Sequence, residues 1–348
     1  MTSSTPGNDT RLSLQKVEAA RNFANKVWNA ARFVLSALAS QRPGVMEENW
    51  AETLGRQDAL TLPDRWILSR HHRLVASVNR LMESYQFGEA GRQIQDFLWG
   101  EFCDWYIEIS KLRLYGEDER AKETARCVLV YVLERTLRLL HPFMPFVTEE
   151  IWQHLTNGKW RMADGQIIDT IMFAPWPQPE GERDMEAEVD MGVVMELVRA
   201  IRNARAEYGV EPGRRIAAII AGGERTDLLL DQQEVLVSLA RLDPERLSIA
   251  PGLVEKPQQA LALVIGDVEC YLPLAGMVDL EAERKRLARE LKEVTDLIRR
   301  SERLLANKDF VTKAPAHVVE REREKLAQNR ARGARLQARL ASLGEVNE

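Results

Sequence analysis

Val17-Glu-Ala-Ala-Arg-Asn-Phe-Ala-Asn-Lys-Val-Trp-Asn-Ala-Ala-Arg-Phe-Val-Leu35 is the core of a helix whose pattern extends from Leu14 to Leu38. Phe23, Val27, Ala30, Val34 and Leu38 recur at three- and four-residue intervals, and Ala24, Trp28, Ala31 and Leu35 widen that apolar surface past half the circumference. Such a helix is expected to be packed on two sides. What remains is a narrow strip carrying Asn22, Asn25, Lys26, Asn29, Arg32 and Phe33, neighbours because residues three and four apart share a helix face. Asparagine is a poor helix former, so several in one helix point to a need for hydrogen-bonding edges. Amides, cations and a ring together suit an unstacked nucleobase, with hydrogen bonds to its edge, a plane to stack on and charge for phosphates. The competing reading is that the amides fasten neighbouring loops and Phe33 is core. Periodicity alone leaves both open.

Working outward, Asp9 or Ser13 is placed to cap this helix. A second helix starts near Leu62-Pro-Asp-Arg-Trp66, where Pro63 suits the first turn, and carries Ile67, Leu74, Val78 and Leu81 to about Tyr85. Phe87-Gly88 reads as the break. A third helix runs from about Glu89 through Ile94, Phe97, Leu98, Phe102, Trp105, Ile109 and Leu112, the most aromatic stretch of the chain. After the turn at Gly116-Glu-Asp118, a fourth helix from Glu119 to Leu140 shows Val128, Val132, Leu133 and Leu137 and ends at His141-Pro142. Four long helices joined by turns or short loops predict an antiparallel up-and-down bundle. A shorter helix at Pro145–His154 follows, and the Pro-rich Ala174–Pro179 closes the region.

From Glu186 the texture changes. A helix through Met195, Val198, Ile201 and Ala204 leads to Ile216-Ala-Ala-Ile-Ile220, a short apolar run typical of a buried strand. Asp227–Leu242 reads as a helix. Leu247–Ile249, Leu261–Ile265 and Val268–Leu272 read as strands, the last two joined as a hairpin at Gly266-Asp267. No Gly-rich phosphate cradle opens either helix of this small α/β module. Beyond it, Leu280, Leu287 and Val294 are spaced by seven, as are Leu291, Ile298 and Leu305. The same series resumes at Val319, Leu326, Gly333 and Leu340 and at Asn329, Leu336 and Leu343. An antiparallel coiled-coil hairpin follows, with its tip at Asn307–Pro315. The fold class is therefore mainly α: a helical bundle, a small α/β module and a coiled-coil hairpin.

The formal charge of −5 conceals segregation. Between Arg284 and Arg339 there are about 17 Lys and Arg against about 8 Asp and Glu, so a basic arm is joined to an acidic remainder. That asymmetry suits a polyanion, whose phosphates release counterions when neutralised. A solvated coiled coil with a protein partner is the rival. No apolar run approaches the roughly 20 residues of a membrane helix, and Met1–Asp9 is no signal peptide, so a cytoplasmic protein that does not bind membranes is expected. Cys103, Cys127 and Cys270 are scattered and read as buried thiols, with neither disulfides nor a metal site indicated. His71-His72, His141, His154 and His317 lack a partner acid or nucleophile, and Gly88-Glu-Ala-Gly91 is not followed by the Gly-Lys-Ser/Thr of a P-loop. No catalytic residue is assigned.

Three stretches, Ala20–Phe33, Glu101–Glu108 and His141–Trp152, resemble the anticodon-binding domain of the bacterial valyl-tRNA synthetase family. Ile201–Pro212 resembles the α/β junction that follows it, and Leu305–Pro315 with Val318–Glu320 is similar to the tip of the family's C-terminal coiled-coil arm. Isoleucyl and leucyl relatives share the bundle but not this arm. The resemblance implies a linker from the catalytic part at 1–13, an anticodon-binding bundle of the class I synthetase type at 14–176, a linker at 177–190, a junction domain at 191–275 and a tRNA-binding arm at 276–345. It implies tRNA(Val) as partner to a monomeric chain. Lys26, Arg32 and Phe33, with Asn25 and Asn29, would face the anticodon. Arg299, Arg300, Arg303, Lys308 and Lys313 would face the tRNA elbow, where shape and backbone dominate recognition. The family's nucleotide-binding and editing domains, with their His-Ile-Gly-His and Lys-Met-Ser-Lys-Ser signatures, precede the bundle, and these signatures do not occur here. The chain is accordingly expected to be a fragment or truncated product, inactive alone and without a cofactor, ATP and Mg belonging to the catalytic domain.

Overall fold

A computed structural model describes residues 13–38, 59–156, 160–161, 167–274, 280–307 and 315–342. They form two compact units, Met1–Met195 and Glu196–Glu348.

In the first unit, α1 spans Leu14–Leu38. Ser13 opens it, its Oγ accepting from the Lys16 amide at 3.3 Å. Phe23, Val27, Ala30, Ala31 and Val34 are buried as the spacing requires, and Trp28 is the exception, 36% exposed. The second helix, α2, spans Leu62–Glu83 and begins with a capping box between Thr61 and Asp64. The break expected at Phe87-Gly88 lies earlier. Tyr85 takes the left-handed conformation (φ 58°) and Phe87 already starts α3, Phe87–Asp96, because one positive φ reverses the chain without a glycine. The third helix is continuous but not uniform. Between α3 and α4 (Ile107–Leu114) the segment Phe97–Tyr106 is π-helical. Its i→i+5 bonding widens the turn, so residues five apart come onto one face. Glu119–Leu140 forms α5, with the Asp118 carboxylate accepting from the Arg120 and Ala121 amides, and Pro145–Thr156 forms α6.

Two buried carboxylates fasten the bundle. Asp64 is fully buried and receives both Nη atoms of Arg113 at 2.5 and 2.6 Å, Tyr106 OH at 2.6 Å and the Thr61 amide and hydroxyl at 2.9 and 2.7 Å. One side chain thus joins the start of α2, the π-helical segment and α4. Glu134 on α5 accepts from Arg138 at 2.6 Å and from the Trp152 indole at 3.3 Å, tying α6 to the core. A short antiparallel pair, β1 (Trp160–Arg161) and β2 (Ile167–Ile168), leads to a 3-10 turn at Ile171–Phe173.

Residues 174–184 then run over the bundle. Pro175 C=O accepts from Arg138, the Trp176 indole donates to Asn79 at 2.7 Å, Glu180 pairs with Arg135, and Asp184 pairs with Arg65. Gly181 lies against the His72 ring, where an added Cβ would come within 2.1 Å of Cε1. Helix α7, Met185–Glu207, starts with the Ala187 amide donating to Asp184. Its Glu188 accepts from Ser69, Arg70 and Arg183, and these partners hold its carboxyl down to about 2.

The second unit begins within α7. Its sheet has the order β4-β3-β6-β5, with β3 (Ile216–Ala221) parallel to β4 (Leu242–Ala250) and antiparallel to β6 (Val268–Pro273), and β5 (Ala260–Ile265) antiparallel to β6. The β5–β6 turn is Gly266-Asp267 as read, with Gly266 at φ 54°. The single helix expected at 227–242 is two, α8 (Thr226–Asp231) and α9 (Gln233–Ala240), with Gln232 between them. Arg241, left-handed at φ 57°, ends α9, so Leu242 belongs to β4. The arm consists of α10 (Leu280–Ala306) and α11 (Ala316–Ser342), each of 27 residues and about 40 Å long. Leu287, Val294 and Ser301 from α10 and Val319 from α11 are buried in the seam, where the Ser301 hydroxyl donates to Glu322 at 2.7 Å. At its base Leu287 joins Leu274, with Tyr208, Leu261, Leu336 and Leu340 packed around them, so the sheet and the arm share a core.

Candidate nucleic-acid interface

The strip on α1 divides by its neighbours. Asn25, Asn29 and Arg32 are exposed, one turn apart on an outward face, whereas Lys26 and Phe33 are half-buried. Those two meet the third helix. Lys26 Nζ lies 2.5 Å from Asp104 Oδ1 and 4.8 Å from the centre of the Trp99 ring. Phe33 presents its ring to Lys111 Nζ at 5.4 Å, and Lys111 is held by Glu108 at 2.6 Å. Each helix therefore sets a cation over a ring of the other, a contact worth about 0.5–1 kcal/mol where solvent still reaches it. Arg126 on α5 steadies the far end by donating to Ala37 C=O at 2.9 Å. The result is a rigid, partly exposed surface with amide edges, a guanidinium and two rings.

Trp99, Asp104, Glu108 and Lys111 escape a reading of α1 alone. Their signal was the aromatic density of the third helix, but the facing geometry arises from the π-helical turns, which heptad-like spacing does not announce. On the arm, Arg299, Arg300 and Arg303 are exposed, Arg299 lying 3.6 Å from Asp296. Lys308 and Lys313 lie outside the described residues. Several arm cations are paired, Arg330 with Glu302 at 2.7 Å and Arg323 with Glu320 at 3.4 Å, contacts that cost little to break in solvent.

His71 is fully buried against Phe97, Tyr131 and His72, and burial, reinforced by His72, Arg135 and Arg138, pushes its imidazole well below the ordinary value. His141 meets Thr148 at 2.8 Å and His154 meets Glu150 at 3.3 Å. All three cysteines are buried, and burial pushes the Cys103 and Cys270 thiols up to about 12. Among the described residues no group of three His, Cys, Asp or Glu side chains could hold a metal, and no helix is long and apolar enough to cross a membrane.

Residues 64–220 match the family described as the anticodon-binding domain of tRNA ligases, and residues 279–344 match the valyl-tRNA synthetase tRNA-binding arm. By sequence, the chain belongs to the tRNA-binding part of the valyl-tRNA synthetase family. Similar proteins include a valine–tRNA ligase of Geobacillus stearothermophilus, 42% identical over 98% of this chain and 37% of that protein. One of Carboxydothermus hydrogenoformans is 44% identical over 94% of this chain and 35% of its own length, and one of Bacillus subtilis 39% identical over 98% and 37%. The chain thus spans little more than a third of the length of these valyl-tRNA synthetase relatives. The arm match coincides with α10 and α11. The anticodon-domain match starts at α2, and it is the relatives, aligned over nearly the whole chain, that extend the likeness to α1.

Proposed function

We propose that this chain recognises tRNA(Val), the bundle reading the anticodon through α1 and the arm gripping the tRNA elbow. The observation that carries the reading is the exposed row Asn25, Asn29 and Arg32 bordered by Phe33 and Lys26. This is the mixture of edges, charge and rings that suits bases splayed from a single-stranded loop. Arg32 and Lys26 address base edges or phosphates, and Phe33 offers a ring for stacking. Arg299, Arg300 and Arg303, with Lys308 and Lys313, address the phosphate backbone of the elbow. The division of labour follows residues 14–176 as bundle, 191–275 as junction and 276–345 as arm.

A complete enzyme of this family joins valine to its tRNA using ATP. The share of that work proposed for this chain is recognition by a cytoplasmic monomer, with ATP and Mg required only by a catalytic part. Titrating the chain with tRNA(Val), and with the same tRNA altered in its anticodon, at low and moderate salt tests the reading. Salt-sensitive binding that weakens for the altered tRNA is expected. Binding indifferent to the anticodon would remove α1 from the account. An adaptor whose arm docks a protein is the second reading, favoured by the paired arm cations, and a flat salt response would support it.

A further inference from the structure

The Lys26 ammonium is held on two sides, by the Asp104 carboxylate and by the face of Trp99. Phe23, three residues before Lys26, lies nearly parallel to Trp99, with ring centres 6.4 Å apart and planes at 17°, which fixes the indole. Trp99 and Asp104 are five residues apart. In an α-helix that spacing separates two side chains by about 140°, so only one could face α1. The π-helical bonding of Phe97–Tyr106 brings both onto the same face, and π turns of this kind recur at functional sites.

We propose that Trp99 and Asp104 are positioning residues that turn Lys26 from a phosphate-seeking cation into a fixed hydrogen-bond donor, making recognition on α1 selective for base edges. The proposal rests on the reading that Lys26 faces the anticodon. A free ammonium gains most from phosphates, which every RNA offers. Paired at 2.5 Å with a carboxylate, Lys26 carries no net charge into the site, and Asp104 repels a neighbouring phosphate. One of its three N–H groups is taken by Asp104, and the others are left for an acceptor on a base. The Trp99 ring limits where those donors point.

The test titrates the whole chain with tRNA(Val) and its anticodon-altered form across a range of salt. Wild type, Lys26→Ala, Asp104→Asn, Trp99→Leu and Trp99→Phe are compared, with melting curves for each. Asp104→Asn should bind the altered tRNA more tightly than wild type does, narrowing discrimination about 5-fold, the lower end of what one base contact supplies. Its plot of log affinity against log salt should steepen by about 0.7, the increment for one phosphate on a single strand. Trp99→Leu should narrow discrimination without steepening, and Trp99→Phe should restore it. If Trp99→Leu melts out, Asp104→Asn decides alone, since it changes only a partly exposed group. Should Lys26→Ala lose discrimination while Asp104→Asn keeps the wild-type ratio and slope, the positioning role is overturned and the anticodon reading stands. A wild-type ratio in Lys26→Ala overturns the positioning role alone, and no tRNA binding by the wild-type chain overturns both.

Discussion

Asp64 and His71 show opposite ways of burying a titratable group. Asp64 is buried with its oxygens accepting from Arg113, Tyr106 and Thr61, so removing the carboxylate leaves those donors without their acceptor. Asp64→Ala leaves the largely buried Arg113 guanidinium without its partner and is expected to cost about 3–5 kcal/mol, read as a drop in the urea midpoint at unchanged slope. His71 is instead buried neutral among cations. An unfolded chain takes up a proton near the ordinary histidine value of about 6.5, whereas the folded chain resists it to a well lower pH. Stability is therefore full above about 6.5 and declines as pH falls below it. Urea melts at pH 7.5 and 5.5 should show that loss, and His71→Leu should lose less between the two. Neither site was legible in the sequence, where Asp64 looked like a helix-start residue and His71 half of an isolated pair. Their partners lie up to 49 residues away in one case and on two other elements in the other.

Among the elements, legibility followed periodicity. The bounds of α1 and α5 and the two arm helices were readable because their apolar residues recur cleanly and polar residues separate them. The π-helical segment was not, since Phe97-Leu-Trp-Gly-Glu-Phe-Cys-Asp-Trp-Tyr106 is apolar on nearly every side and gives no period to follow. The break at Gln232 escaped too, having neither glycine nor proline to mark it. For the same reason only the α1 half of the candidate surface was readable, because Lys26 meets its partner 78 residues further on. In the arm, the heptad position at Gly333 is informative. An added Cβ would sit 3.5 Å from Ile298 Cδ1 and 3.6 Å from Val294 Cγ1, ordinary contact with both. Gly333→Ala is expected to stabilise the hairpin by about 1 kcal/mol through helix propensity, measured as a raised melting temperature. A fall would mean that the seam needs the gap.

For the molecule as a whole, segregation of charge matters more than its sum. The bundle surface is built from named edges and rings, while the arm presents repeated arginines, and the two should fail differently. Arg32→Ala is expected to weaken binding of tRNA(Val) and flatten discrimination between anticodons, whereas Arg300→Ala should lower affinity for all tRNAs alike and make the salt dependence shallower. Parallel filter-binding titrations distinguish the two, and equal loss of discrimination would refute the division. The buried thiols have a practical consequence of another kind. With all three cysteines inside and two of them held far from the thiolate form, the native surface is blank to maleimide reagents. Ser36→Cys and Gln328→Cys would each place a single handle for a dye on an exposed helical site, one in each compact unit. Fluorescence energy transfer between them, recorded while tRNA is added, would then track the separation of the two surfaces during recognition with every native cysteine left in place.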